Sequence, residues 1–299
     1  MEICNLCPRR CGKDRENETG VCGMRTNPVV ARAGIHMWEE PCISGTNGSG
    51  TVFFSGCSLR CVFCQNYEIS WEQFGAEITV ERLRDIFEEL IEKGVHNINL
   101  VNPTHFALPI AQALEKPLSV PVVYNSSGYE NVETLKMLEG KIQIYLPDMK
   151  YSNNEIAMRY SSAPDYFETA QAAIAEMFRQ VGPYRMNEDG EMIEQGLIVR
   201  HLILPSHLKN TYGVIDWFAE TFQPGDAMFS LMSQYFPSGR AADFPKINRR
   251  ITPRERHKAE DYLFASGIED GFLQSRKSAS ESFVPVFDLE GVLPNEQKG

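Results

Sequence analysis

The sequence predicts an α/β chain built as a partial (β/α)6 TIM-type barrel behind a Cys-rich N-terminal extension. Three observations carry that expectation. Apolar strand-like runs alternate with amphipathic helical runs from residue 51 to about residue 265, six such strands can be counted, and a tight group of cysteines follows the first of them. Strand then helix, repeated, implies parallel strands, because a parallel partner needs a long crossover. Six strands are too few to close an eight-strand barrel and enough for an open one. In such barrels the functional residues stand on loops at the C-terminal ends of the strands, where the cysteines fall.

Taken in order, residues 1–50 are rich in Cys, Gly, Asn and Pro and lack sustained periodicity, so they read as a compact extension, and residues 51–299 as the barrel with a C-terminal helix and tail. Thr51 to Phe54 is β-prone. From Thr79, Leu83, Ile86, Phe87, Leu90 and Ile91 fall on one helical face, with Thr79 as the cap and Gly94 as the stop. Strands follow at 97–101, 120–124, 141–146, 197–203 and 227–232, and helices at 105–115, 130–138, 165–181, 212–222 and 253–265. The Asp189-Gly190 pair marks a small hairpin between residues 186 and 192.

Composition narrows the classes. With 29 basic against 40 acidic residues the net charge is -11, which opposes generic adhesion to nucleic acid or to anionic membranes. The basic run from Lys246 to Lys258 reads as a solvated helix entry or a patch for an acidic partner. No window reaches the length of a membrane span and the N-terminus lacks a leader pattern, so the expected compartment is cytoplasmic. Reducing conditions there disfavour disulfides and turn all eight cysteines into candidate ligands. The glycines of 45–50 match neither phosphate-loop pattern and read as a tight turn into the first strand.

Cys57, Cys61 and Cys64, in the stretch Ser55-Gly-Cys-Ser-Leu-Arg-Cys-Val-Phe-Cys-Gln-Asn66, carry the chemistry. Soft thiolates are the preferred ligands of iron-sulfur clusters, and a [4Fe-4S] cubane normally takes four. Three at C-x3-C-x2-C spacing leave one iron open to substrate. The competing readings are disulfides and structural zinc, but a zinc motif usually closes with a second ligand pair, and no cysteine follows Cys64. Cys4, Cys7, Cys11 and Cys22 supply four more thiols within 19 residues, enough for a second metal, zinc or iron-sulfur; free thiols are the alternative, and Cys42 has no assigned role.

The cysteine run resembles the signature of the radical S-adenosylmethionine (SAM) superfamily. The resemblance implies a [4Fe-4S] cluster whose open iron takes the amino and carboxylate groups of SAM, reductive cleavage to a 5′-deoxyadenosyl radical, and a partial barrel of the radical SAM type. The Cys4-Asn-Leu-Cys7-Pro-Arg-Arg-Cys11-Gly opening, Trp38 to Gly45, Gln65 to Ser70 and Arg200 to Pro205 further resemble a family of homologues of pyruvate formate-lyase activating enzyme. That resemblance implies a protein substrate, a glycyl radical enzyme, and an external one-electron reductant. Where such enzymes carry Gly-Gly-Glu, this chain has Val101-Asn-Pro-Thr-His105, so Asn102 and Thr104 would supply the acceptors for the SAM amino group. The resemblance gives Asp148 the holding of a cation or the orienting of SAM and gives Lys150 the SAM carboxylate, with Asn125 and Ser126 facing the same site.

Arg200 and His201 lie inside an apolar strand, and a buried charge needs a partner. Neighbours on a strand point opposite ways, so Arg200 is expected to face the barrel interior, where its fork suits a carboxylate, and His201 to face a helix. Gln234 and Tyr235, after the sixth strand, are candidate adenine or substrate contacts. Two further classes stay open at this stage: a radical SAM enzyme acting on a small molecule or another protein residue, and a non-enzymatic iron-sulfur protein.

Overall fold

A computed structural model describes residues 3–274 and 285–294. In chain order its strands are β1 (Val29–His36), β2 (Ser49–Phe54), β3 (Ala76–Glu77), β4 (Ile98–Val101), β5 (Val122–Ser126), β6 (Ile144–Pro147), β7 (Arg185–Met186), β8 (Ile193–Leu202), β9 (Met228–Met232) and β10 (Gly271–Leu273). The helices are α1 (Pro41–Ser44), α2 (Tyr67–Ser70), α3 (Val80–Glu92), α4 (Ala107–Ala113), α5 (Val132–Lys136), α6 (Asn154–Ser161), α7 (Tyr166–Val181), α8 (Leu208–Thr221) and α9 (Pro253–Ala265).

The six strands that the alternation predicts, β2, β4, β5, β6, β8 and β9, lie side by side in that order, each parallel to the next. β10 adds a short parallel strand to β9, while β1 runs antiparallel to β2 and carries β3 on its far side. β10 and β3 end the strand order and do not pair with each other, so the barrel stays open. β2, β4, β5, β6 and β9 are buried at every residue, as parallel strands covered on both faces must be. Local signals set the helix ends. Thr79 Oγ accepts the Arg82 amide at 3.2 Å, and Thr252 and Glu255 form a reciprocal capping box with Pro253 in the first turn of α9.

The structure departs from the periodicity reading mainly before residue 50. β1 escapes it because Arg32 and Gly34 interrupt its apolar run, a bulge lies between Val30 and Arg32, and its stability comes from pairing with β2. α1, four residues long, is too short to show a period. α6 was also not anticipated, and the 105–115 helix divides into a 3-10 turn at Thr104–Phe106 followed by α4.

α1 places the rest of the site. Because β1 and β2 are antiparallel, the chain between them crosses the N-terminal ends of the parallel strands. There Ile43, fully buried, and Cys42 pack with Val123 of β5, Ile144 and Leu146 of β6, Ile198 of β8 and Met228 of β9. Asn97 Nδ2 donates to the Ile43 carbonyl at 2.7 Å. The segment plugs the barrel floor, and Cys42, unassigned from sequence, is a packing residue of that plug.

Candidate active site

β2 leads directly into the cysteine loop. Gly56 adopts φ +77°, and a Cβ there would lie 2.7 Å from the Cys22 carbonyl oxygen, so glycine lets the loop rest against the N-terminal extension. Cys57 N–H donates to that same carbonyl at 3.2 Å. Arg60 takes the left-handed conformation at φ 53°, which turns its amide and that of Leu59 toward Cys57 Sγ, both at 3.4 Å. Ser161 Oγ donates to Cys61 Sγ at 3.0 Å, and the Ser70 hydroxyl faces Cys64. All three sulfurs line one cavity of about 680 Å³. Burial pushes the three thiol pKa values up, that of Cys64 to about 12, so as free groups they stay protonated at neutral pH and a bound metal must displace their protons.

From the floor of the cavity to the cysteines runs a chain of alternating charges. Glu39, just ahead of the plug, meets Arg200 at 2.9 Å, and Arg200 Nε donates to Asp148 at 2.9 Å. Asp148 in turn pairs with Lys150, whose ammonium stands within electrostatic reach of all three cysteines. Arg200 Nη2 donates to Asn125 Oδ1 at 2.6 Å, while the Asn125 and Asn99 amides donate to Glu39 Oε1. Burial by itself would raise the Asp148 pKa, but Lys150 and Arg200 outweigh it and hold the carboxyl below its usual range. Burial would lower that of Lys150, and Asp148 together with the cysteine sulfurs raises it instead. Glu40 lies 3.9 Å from Arg200 and is fully buried; burial pushes its pKa up although Arg200 partly offsets this, and its Oε2 has no hydrogen-bond partner.

Asn102, Asn125, Ser126, Asp148, Lys150 and Arg200 therefore share the cavity with the cysteines. Asn102 sits at φ 60°, a conformation asparagine tolerates, with its side-chain amide donating to the Gly56 carbonyl. Thr104 does not join them. It is fully buried and its hydroxyl donates to Glu130 at 2.6 Å, because the 3-10 turn after Pro103 carries it behind β4. His201 faces α8 as expected, with its ring between the Met149 carbonyl at 2.7 Å and Thr211 Oγ1 at 3.0 Å. Gln234 lines the cavity and its Oε1 is unpartnered, whereas Tyr235 is buried with its hydroxyl on the Ile247 carbonyl.

Glu39 is the residue that sequence reasoning missed. Its signal was available: an acidic pair in a Pro- and Gly-rich segment, opposite a strand arginine without an evident partner. The N-terminal cysteines are also gathered, since Cys4, Cys7, Cys11 and Cys22 each lie within electrostatic reach of others in the set. Among the described residues, no three His, Cys, Asp or Glu side chains converge as the ligands of a single metal ion.

This open parallel barrel, with a three-cysteine loop after its first strand, defines a class. The chain belongs to the radical SAM superfamily, whose sequence pattern matches residues 51–182. It is 32% identical over 266 residues to the uncharacterized protein MJ0674 of Methanocaldococcus jannaschii, a match covering 86% of this chain and 72% of that one. Among solved structures, methylornithine synthase (PylB) superposes with a TM-score of 0.50 at 12% identity, over 81% of this chain and 70% of the other, a likeness of fold. Streptococcus suis SuiB bound to its precursor peptide SuiA gives 0.46 at 10% identity; the match covers 73% of this chain and spans less than half, 46%, of SuiB.

Membership implies a [4Fe-4S] cluster and SAM, and the residues present fit both. Three soft sulfurs on one cavity, those of Cys57 and Cys61 already receiving hydrogen bonds, suit a cluster with one open iron. The charged chain offers partners for an amino and a carboxylate group, Ser127 Oγ and Gln234 Oε1 are unpartnered polar atoms at the wall, and Phe53, Val101, Leu202 and Phe236 give an apolar face. No helix among the described residues is long and apolar enough to cross a membrane.

Proposed function

We propose that this chain is an activating enzyme of the kind related to pyruvate formate-lyase activating enzyme, which abstracts a hydrogen atom from a glycine of a partner protein. The bound cluster and SAM supply the 5′-deoxyadenosyl radical once an external reductant delivers one electron. The chain's own residues then have defined tasks. Cys57, Cys61 and Cys64 hold the cluster. Lys150 and the Arg200 fork hold the SAM carboxylate, Asp148 and the amides and hydroxyl of Asn102, Asn125 and Ser126 orient the amino group, and Glu39 fixes Arg200 from below. The apolar wall excludes water from the reacting centre. The same proposal gives residues 51–299 the catalytic barrel and residues 1–50 the floor plug with Glu39 and, on Cys4, Cys7, Cys11 and Cys22, a second metal.

The observation that carries this reading is the single charged chain from Glu39 to Lys150 ending beside three cysteines that share its cavity. An electron carrier has no use for such an amino-acid clamp. The glycyl-radical step rests on the motifs shared with activating enzymes. Anaerobic reconstitution with iron and sulfide, then SAM and dithionite, should yield 5′-deoxyadenosine, and Cys57→Ala, Cys61→Ala or Cys64→Ala should abolish it. Absence of product from the native chain overturns the reading. Product formed without a glycine-centred electron paramagnetic resonance (EPR) doublet on any candidate partner moves the substrate to a small molecule or another residue.

A further inference from the structure

Arg15 is a buried cation that donates only to carbonyls, those of Met24 at 3.3 Å, His105 at 2.6 Å and Arg25. Among the described residues no carboxylate pairs with it. A buried charge without a counter-ion is costly, and the groups standing where one belongs are the sulfurs of Cys11 and Cys22, both within its electrostatic reach. Those sulfurs flank Gly20, whose absent Cβ would lie 3.3 Å from Cys22 Sγ and 3.5 Å from Cys11 Sγ. The backbone two residues after each of three cysteines faces its sulfur: Arg9 at Cys7, Lys13 at Cys11 and Met24 at Cys22, where the sulfur lies 4.0 Å from the Met24 carbonyl oxygen. Leu59 faces Cys57 in the same way in the radical-forming loop. Backbone contacts of this kind orient a sulfur for a metal. The loop is closed by Cys4 N–H on the Lys13 carbonyl at 2.9 Å and Gly12 N–H on that of Cys4 at 3.2 Å.

The site also has direction. Cys4 and Cys11 are partly exposed, whereas Cys7 and Cys22 are buried. Cys22 is connected to Cys57 by the hydrogen bond from the Cys57 amide to its carbonyl, so a short path runs from one sulfur through that bond to the other. A zinc ion could pin the loop but has no redox chemistry to use such a path. We propose that Cys4, Cys7, Cys11 and Cys22 hold a [4Fe-4S] cluster that takes one electron from a ferredoxin-type protein donor and passes it to the cluster on Cys57, Cys61 and Cys64. The relay rests on the SAM-cleaving reading above; the presence of the cluster does not. One electron enters and one leaves, and no bond or proton changes at the N-terminal site.

The test is an iron count and a donor comparison on the full chain, reconstituted anaerobically with ferrous iron and sulfide. The native chain should bind about eight irons, and the triple variant Cys57→Ala, Cys61→Ala, Cys64→Ala about four, with an EPR signal on reduction. One zinc and no iron in the triple variant, or no metal at all, overturns the site. The double variant Cys4→Ala, Cys11→Ala, which leaves only two N-terminal ligands, should keep about four irons and the SAM-induced change in their EPR spectrum. With a reduced ferredoxin-type donor its 5′-deoxyadenosine rate should fall about tenfold or more, yet with dithionite stay within about twofold of native. Equal rates with both donors overturn the relay. If the native chain makes no 5′-deoxyadenosine, the SAM-cleaving reading falls, while the iron count of the triple variant still decides the N-terminal cluster.

Discussion

Replacing Asp148 by Asn removes the charge at the centre of the Glu39–Arg200–Asp148–Lys150 chain while keeping the shape. The amide can still accept one hydrogen bond, but it neutralises neither Arg200 nor Lys150. Each pair at contact distance is worth about 4 kcal/mol at an effective dielectric of about 20. Arg200 keeps Glu39 at 2.9 Å, and its side chain and that of Lys150 retain 13% and 20% exposure. The expected loss is therefore near the bottom of the range for breaking a buried pair, about 3 kcal/mol. For a chain of this size that lowers Tm by about 5 °C, read by calorimetry of metal-free protein at pH 7. The acid limb gives a second reading. The Asp148 pKa is depressed in the fold, so its contribution is complete above the unfolded value of about 3.9 and is lost as pH falls through the lower folded value. The two proteins should converge in stability below about pH 4. A Tm change under about 2 °C, or a gap that persists through the acid limb, would refute the charged chain as the organising element.

Glu39→Gln should weaken SAM binding by about tenfold, roughly 1.4 kcal/mol, with little loss of the bound iron, because it frees the Arg200 fork without touching the cysteines; isothermal titration of the reconstituted protein checks this. Ile43→Ala opens a hole in the floor plug and should cost about 2–5 kcal/mol in chemical denaturation. His105 and His201 are buried, and burial lowers their pKa values to about 3 and about 4. Both are held neutral in the fold, so stability should be full above about pH 6.5 and decline toward pH 4 as the unfolded chain takes up protons. The slope of stability against pH in that window should shrink in His201→Gln, which keeps one ring partner.

The barrel was legible because its signal is periodic. Parallel strands covered on both faces must be apolar throughout, and α3 must present Leu83, Ile86, Phe87 and Leu90 to them, so spacing alone recovers the order. Arg200 was legible because a charge inside a buried strand requires a partner, and Asp148 because its strand-end Asp-x-Lys segment resembles that of activating enzymes. Thr104 was misplaced for a local reason: a 3-10 turn rotates side chains by a different step than a helix does, and nothing in Asn-Pro-Thr-His announces which follows. Glu39 was missed because its role depends on β1 and β2 being antiparallel, which puts the segment between them at the barrel floor. No single stretch of sequence encodes that placement.

The floor plug also bears on how the chain reaches its fold. Ile43 leaves the ribosome early, yet the residues that seat it, from Val123 to Met228, are made long afterwards. Its burial is a contact of long sequence separation, whose loop-closure entropy is met before any contact rewards it. Seating of the plug is then a late event in assembly. Until it occurs, Glu39 has no strand arginine to meet, and an otherwise complete barrel lacks the base of its cavity.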